Sequence, residues 1–336
     1  MKFLRYILLP IVPLYYLITW LRNVLYDIGV LKSETYPFAV ICVGNLSVGG
    51  TGKTPMIEYL IALLKKDIRV ATLSRGYKRK TKGFVLAQTS TQVHDIGDEP
   101  FQFFRKFNDI VVAVDANRRN GIDRLMALSP KPEVILLDDA YQHRKVQAGF
   151  NILLTPYYDL YVDDFVLPTG NLREPKSGSK RANVIVVTKC PKTLSEEEKE
   201  QVIKRLKPHK LQSVFFSSID YADMFVGMNS EFSLIELKKK KITVVTGIAN
   251  PQPMLDYLKE KGLDFEHIQY ADHHNFSLDE IASLQQKQMV LTTEKDFVRL
   301  APHFKEKENI CYLPIKVVID NNAAFDMLIK EYIKSV

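Results

Sequence analysis

The segment Gly44-Asn-Leu-Ser-Val-Gly-Gly-Thr-Gly-Lys-Thr-Pro55 constrains the fold more than any other stretch of this chain. Residues 38–43 ahead of it form an unbroken apolar run, the pattern of a strand buried on both faces. Behind it Ile57, Leu60, Ile61 and Leu64 fall on one helical face, and Pro55 is tolerated in a first turn. Strand, glycine-rich turn and helix in that order make a cradle whose successive backbone amides face an anion. The phosphate-loop pattern asks for Gly, four residues, then Gly-Lys-Ser/Thr. Gly52, Lys53 and Thr54 satisfy it, while Ser47 stands where the opening glycine belongs. The expected phosphate site is Ser47, Val48, Gly49, Gly50, Thr51, Gly52, Lys53 and Thr54. Lys53 would reach the β- and γ-phosphates of ATP, and Thr54 would hold Mg2+.

The strand-and-helix alternation then repeats. Residues 68–73, 110–114, 133–137, 152–154 and 184–187 are short apolar runs separated by helix-length segments, which implies a doubly wound, mainly parallel sheet. Ser195 and Glu198 form a capping box that opens a charged helix. Beyond the lysines at 238–241 a second, smaller α/β pattern begins, with strands expected at 242–246, 265–268, 289–292 and 310–314. The expected organisation is an N-terminal apolar helix (1–30), a phosphate-loop domain (31–225) and a smaller α/β domain (226–336).

Carboxylates recur where strands end. Residues 133–139 read as four apolar positions closed by Asp138 and Asp139, a form that delivers a carboxylate to Mg2+ at the carboxyl edge of a parallel sheet. Adjacent strand residues point to opposite faces, so one of the two is the closer ligand. In Gly97-Asp98-Glu99-Pro100 a carboxylate would accept a proton from an attacking hydroxyl or add to the metal shell. His143 follows the paired aspartates, and Asp272-His273-His274 lies in the second domain, where Asp272 would orient an imidazole. Mg2+ prefers oxygen, so these histidines are not read as its ligands. The segments 74–77 and 167–175 are polar, turn-rich and at strand ends. They place Arg75, Tyr77, Asn171 and Arg173 on the side of an anionic substrate, with Arg173 suited to bidentate phosphate pairing.

The net charge is +7, which suits an acidic partner: nucleic acid, an anionic membrane or a phosphorylated substrate. No arginine-rich arm, zinc-finger spacing or aromatic–basic signature supports nucleic acid. Residues 6–21 carry no charge and are flanked by Arg5 and Arg22, a stretch shorter than the roughly 20 residues of a bilayer span. With Tyr15, Tyr16 and Trp20 suited to the headgroup layer, the segment reads as an interfacial membrane helix, a span and a helix packed on its own domain being the alternatives. Three widely spaced cysteines in apolar runs read as free thiols.

Taken together, these motifs occur in a recognisable order: 44–55, Ser-Arg-Gly-Tyr (74–77), Gly-Asp-Glu-Pro (97–100), Asp-Asp-x-x-Gln-His (138–143), Leu-Pro-x-Gly-x-Leu-Arg-Glu-Pro (167–175), Asp-His-His (272–274) and Thr-Glu-Lys-Asp (293–296). The chain resembles the tetraacyldisaccharide 4'-kinase (lipid A 4'-kinase) family of Gram-negative bacteria. That resemblance implies transfer of the γ-phosphate of ATP to the 4'-hydroxyl of a tetraacyldisaccharide 1-phosphate at the cytoplasmic face of the inner membrane. It also implies a membrane-associated N-terminal helix and two α/β domains, and the chain is taken as a monomer. By the same resemblance Asp98 is the catalytic carboxylate, His273 its partner from the second domain, and Glu99, Asp138 and Asp139 the acidic positions around Mg2+.

A different class of function competes, a phosphate-loop GTPase that delivers a cofactor or metal. Such proteins read guanine with Asn/Thr-Lys-x-Asp, and here Thr188-Lys189-Cys190 is followed by Pro191 where the aspartate belongs.

Overall fold

A computed structural model describes residues 6–272, 274–304 and 308–336. The larger of its two sheets has nine strands. They are β1 (Ala39–Asn45), β2 (Val70–Ser74), β3 (Val85–Leu86), β4 (Val111–Val114), β5 (Val134–Asp138), β6 (Phe150–Pro156), β7 (Val184–Thr188), β8 (Ser213–Tyr221) and a late strand, Ile315–Ile319. The order across the sheet is the late strand, then β8-β7-β6-β1-β5-β2-β4-β3. All neighbours are parallel except the two edge pairs. Every residue of β1, β2, β5 and β7 is buried, which explains why each reads as a continuous apolar run instead of an alternating one. Helices Lys53–Leu64, Asp98–Lys106 and Asn322–Lys334 pack on one face, with Ile57, Phe103 and Phe325 in its core. Arg118–Met126 and Glu196–Leu206 cover the other.

The smaller sheet contains β9 (Met224–Val226), β10 (Glu231–Ser233), β11 (Ile242–Thr246), β12 (Phe265–Gln269), β13 (Met289–Thr292) and β14 (Ile310–Tyr312), in the order β10-β9-β14-β13-β11-β12. Four of these strands were expected from the apolar runs. The two short antiparallel strands, β9 and β10, were not, because three residues carry too little periodicity to register.

The expected extent of the smaller domain, 226–336, requires correction. After β14 the chain returns: β15 (Ile315–Ile319) pairs antiparallel with β8, and helix Asn322–Lys334 docks on the larger sheet. Phe325 and Ile329 are fully buried there, each contributing about 1.5–3 kcal/mol. The Tyr332 hydroxyl donates to the Val40 carbonyl at 3.2 Å and accepts from the Val40 amide at 3.1 Å, pinning the helix to β1. The alternating pattern of β15 is that of an edge strand with one face covered, and resembles the domain it leaves as much as the one it joins.

The N-terminal segment is a 3-10 turn, Tyr6–Ile11, running into helix Val12–Asp27, with Pro10 and Pro13 near its start. Ile7–Asp27 is long and apolar enough to cross a membrane by length and composition.

Candidate active site at the carboxyl edge of the large sheet

The carboxyl ends of β7, β1, β5 and β2 open on the same edge, where ligands of doubly wound sheets bind. From β1 the chain enters the glycine-rich loop. Gly49 and Gly52 hold φ of +107° and +90°, a region that side chains with a Cβ rarely adopt. Gly52 caps helix Lys53–Leu64 without any side-chain acceptor, so the first-turn amides are left for an anion. The loop is braced from β7. Thr188 Oγ1 donates to the Thr51 carbonyl at 2.8 Å, and Lys189 Nζ to the Gly50 carbonyl at 2.6 Å. Burial, and next the charge of Lys53, lower the Lys189 ammonium pKa. The Thr188-Lys189 pair, weighed in the sequence only as a guanine reader, is a strut for the phosphate loop.

Ser47 bridges to Leu172, and the Val48 amide donates to the Asn171 carbonyl at 2.8 Å. The loop start and the 167–175 segment are therefore one structure, which is how Asn171 and Arg173 reach the site. Lys53 Nζ lies 3.7 Å from Asp139 and 3.4 Å from Asn45 Oδ1. Arg173 Nη1 donates to both oxygens of Asp139 at 2.9 and 3.1 Å. Asp139 sits at φ +47°, turned out of the strand line.

Asp138 points the other way and is buried. Ser74 Oγ donates to its Oδ2 at 3.2 Å, while its Oδ1 has no hydrogen-bond partner. Burial above all, then the charges of Glu99 and Asp139, push this carboxyl up to about 7 against the pull of Lys53 and Arg118. A cation placed there would satisfy the orphaned oxygen and offset the repulsion between the carboxylates. Among the described residues no three Asp, Glu, His or Cys side chains form a closed cage. Mg2+ does not need one, since it keeps several waters and takes one or two carboxylates with phosphate oxygens.

Asp98 opens helix Asp98–Lys106, with Glu99 next to it. Arg299, from helix Glu294–Leu300 beyond the second sheet, donates to Asp98 Oδ2. The same guanidinium reaches the His274 carbonyl at 3.3 Å and lies 3.8 Å from the buried Asp296. His273 lies outside the described residues. His274 is stacked on Tyr270 at 4.6 Å and bonded to Glu280 at 3.0 Å, a structural role in its own domain. His143 is driven down to about 4 by burial and by Arg118, Lys145, Arg22 and Arg75, so it is neutral. Arg75 and Tyr77 are exposed. Arg299 escaped sequence reasoning because a lone arginine three residues past Thr293-Glu-Lys-Asp carries no motif of its own.

The N-terminal helix is wired to this edge. Tyr15 Oη donates to the Arg173 carbonyl at 2.9 Å, Arg22 Nη2 to the Gln142 carbonyl at 2.9 Å, and Asn23 Nδ2 to Glu174 Oε2 at 2.6 Å. The opposite side of the segment leaves Ile7, Leu14, Leu17, Ile18 and Trp20 exposed.

A phosphate loop, a carboxylate pair at the end of β5 and a second domain reaching over them define an ATP-using phosphotransferase of the phosphate-loop class. The family described as tetraacyldisaccharide-1-P 4'-kinase matches residues 4–334. The chain is 54% identical to the tetraacyldisaccharide 4'-kinase of Flavobacterium johnsoniae, covering 99% of this chain and 98% of that one. It is 50% identical to the enzyme of the same name from Flavobacterium psychrophilum, covering 100% and 98%. The crystal structure of an "apo" form of LpxK from Aquifex aeolicus in complex with ATP superposes with a TM-score of 0.79 at 33% identity, covering 98% of this chain and 99% of that one. The chain belongs to the tetraacyldisaccharide 4'-kinase family and is a kinase, which sets aside the GTPase reading.

Proposed function

We propose that this kinase phosphorylates the 4'-hydroxyl of a tetraacyldisaccharide 1-phosphate, using ATP, as a monomer at the cytoplasmic face of the bacterial inner membrane. One observation carries the reading. An unbroken chain of contacts leads from the exposed apolar helix through Tyr15 to Arg173, from Arg173 to Asp139, and from Asp139 to Lys53. A helix lying in the membrane surface would thus set the lipid's sugar beside the phosphate loop.

In this scheme residues 47–54 and Lys53 hold the ATP phosphates, and the first-turn amides add the positive end of the helix. Asp138, Thr54 and Glu99 would hold Mg2+, which supplies neutralisation of phosphate charge when bound; Asp139 is engaged by Lys53 and Arg173. Asp98 takes the proton of the sugar hydroxyl, with His273 as the expected partner. The hydroxyl oxygen bonds to the γ-phosphorus, the bond to the β–γ bridging oxygen breaks, and ADP leaves. Arg75, Tyr77, Asn171 and Arg173 would contact the sugar or its phosphate.

The test is phosphoryl transfer from ATP to the tetraacyldisaccharide 1-phosphate in mixed micelles. Transfer that persists at near the wild-type rate in Lys53→Ala would sink the proposal.

A further inference from the structure

We propose that Lys106 is a positioning residue that latches the second domain onto the phosphate-loop helix, with Glu58 and Glu294 as its two anchors. This rests on the kinase reading of the site. Lys106 Nζ lies 2.8 Å from Glu58 Oε2 and 2.9 Å from Glu294 Oε2. Glu58 belongs to helix Lys53–Leu64, which begins with the phosphate lysine. Lys106 is the last residue of the helix that begins with Asp98. Glu294 is the first residue of the helix that carries Arg299.

The two contacts between helices Asp98–Lys106 and Glu294–Leu300 sit at opposite ends. Asp98 pairs with Arg299 at one end, and Lys106 with Glu294 at the other. That fixes an antiparallel register between a helix of the first domain and a helix of the second. Gln102, midway along, donates to Glu58 Oε1 at 2.8 Å and ties the same helix to the phosphate-loop helix. The arrangement joins the three elements that carry Lys53, Asp98 and Arg299.

Two carboxylates, 7% and 8% exposed, around one ammonium is a poor arrangement for stability alone. Buried charges lose hydration, and apolar side chains of similar volume hold helices together equally well. What charge-assisted hydrogen bonds add is direction, because they weaken when the helices slide or part. The cluster therefore sets the register in which Asp98 meets the phosphate loop, and it is broken when the second domain swings away.

The experiment measures closure and chemistry separately. The three native cysteines are buried, so spin labels on Lys66→Cys and Lys259→Cys report the distance between domains selectively. With ATP and Mg2+ bound, the otherwise unaltered chain should give a single narrow distance distribution. Glu294→Leu, which leaves Lys106 paired with Glu58, should broaden it and lower kcat at least fivefold with KM for ATP changed less than twofold. Glu294→Gln retains an acceptor oxygen and should fall between the two; it carries the same test if the leucine variant unfolds. An unchanged distribution and unchanged kcat in Glu294→Leu would overturn the latch while leaving the kinase reading intact. A narrow distribution lost in Glu294→Leu, in a chain that never phosphorylates the lipid, would support the latch and overturn the kinase reading.

Discussion

Arg299 and Asp98, 201 positions apart in the chain and attached to different sheets, are joined directly by a guanidinium–carboxylate hydrogen bond. The arginine side chain is 10% exposed, so little water competes for it. The bond fixes the orientation of the carboxylate proposed to take the acceptor's proton. We expect Asp98→Asn to lower kcat by about 10²–10⁴-fold. Arg299→Ala should lower it less, by about tenfold, and should add little in the Asp98→Asn background, because the two act as a unit. Steady-state phosphoryl transfer in the four proteins of the cycle checks this. Independent, additive losses would show that Arg299 acts elsewhere.

The two aspartates at the end of β5 should fail differently. Asp138 is buried with an unsatisfied oxygen, and Asp139 is engaged by Lys53 and Arg173. We expect Asp138→Asn to raise the Mg2+ concentration for half-maximal activity by more than about tenfold, since it weakens a cation ligand. Asp139→Asn should instead raise KM for the lipid, because Arg173 loses its partner. Titrations of Mg2+ and of lipid on both variants separate the roles, and identical profiles would refute the division.

The sequence marked Asp138 and Asp139 as a pair at a strand end but left open which of them faces the metal; the sheet itself was more legible. Buried parallel strands announce themselves as apolar runs, and the glycine spacing of 44–55 marked the loop between β1 and helix Lys53–Leu64. What escaped was long-range. Nothing near Glu58, Lys106 or Glu294 marks them as partners, because an ion pair across domains leaves no local period. The return of β15 and helix Asn322–Lys334 to the first sheet was missed for the same reason: strand order is set by packing, and β8, with which β15 pairs, is buried only at its centre and partly exposed at both ends. Glu174 likewise read as one residue of a turn, yet it is buried and receives Asn23, Gln142 and Arg181.

The N-terminal helix makes a sharp prediction because its two sides differ. Leu14 and Leu17 are 59% and 53% exposed, whereas Tyr15 is bonded to the Arg173 carbonyl. Leu14→Glu with Leu17→Glu should leave folding nearly unchanged, within about 0.5 kcal/mol each. The same pair should weaken binding to anionic vesicles on the order of 10²-fold, if each leucine withdrawn from the interface costs about 1–2 kcal/mol. Tyr15→Phe should bind vesicles as well as the unaltered chain but turn over more slowly, having loosened the Arg173 segment. Vesicle flotation and micelle assays read the two effects. Equal vesicle binding by the double glutamate variant would place the membrane contact on another surface.

Glu294 predicts a pH dependence whose sign is fixed by its surroundings. Burial first, then the charge of Glu58, push its carboxyl up from the ordinary 4.5 to about 7, with Lys106 opposing. Burial alone would lower Lys106, but the charges of Glu58 and Glu294 outweigh it and raise its pKa. Tyr312, which feels the same cluster, is pushed up to about 12 by burial and next by Glu294, and is neutral. Arg105 lines the same cavity. A carboxyl whose folded value lies above its unfolded one binds its proton more tightly in the folded chain. Its stabilising contribution is complete below pH 4.5 and is lost as the pH rises through about 7. Relative to Glu294→Gln, which cannot titrate, the unaltered chain should therefore lose stability between about pH 5 and pH 7, and the gap should level off above that range. Urea midpoints for the two proteins across this range are the measurement. A gap that stays constant would mean that Glu294 is ionised throughout, so that Lys106 fully compensates its burial.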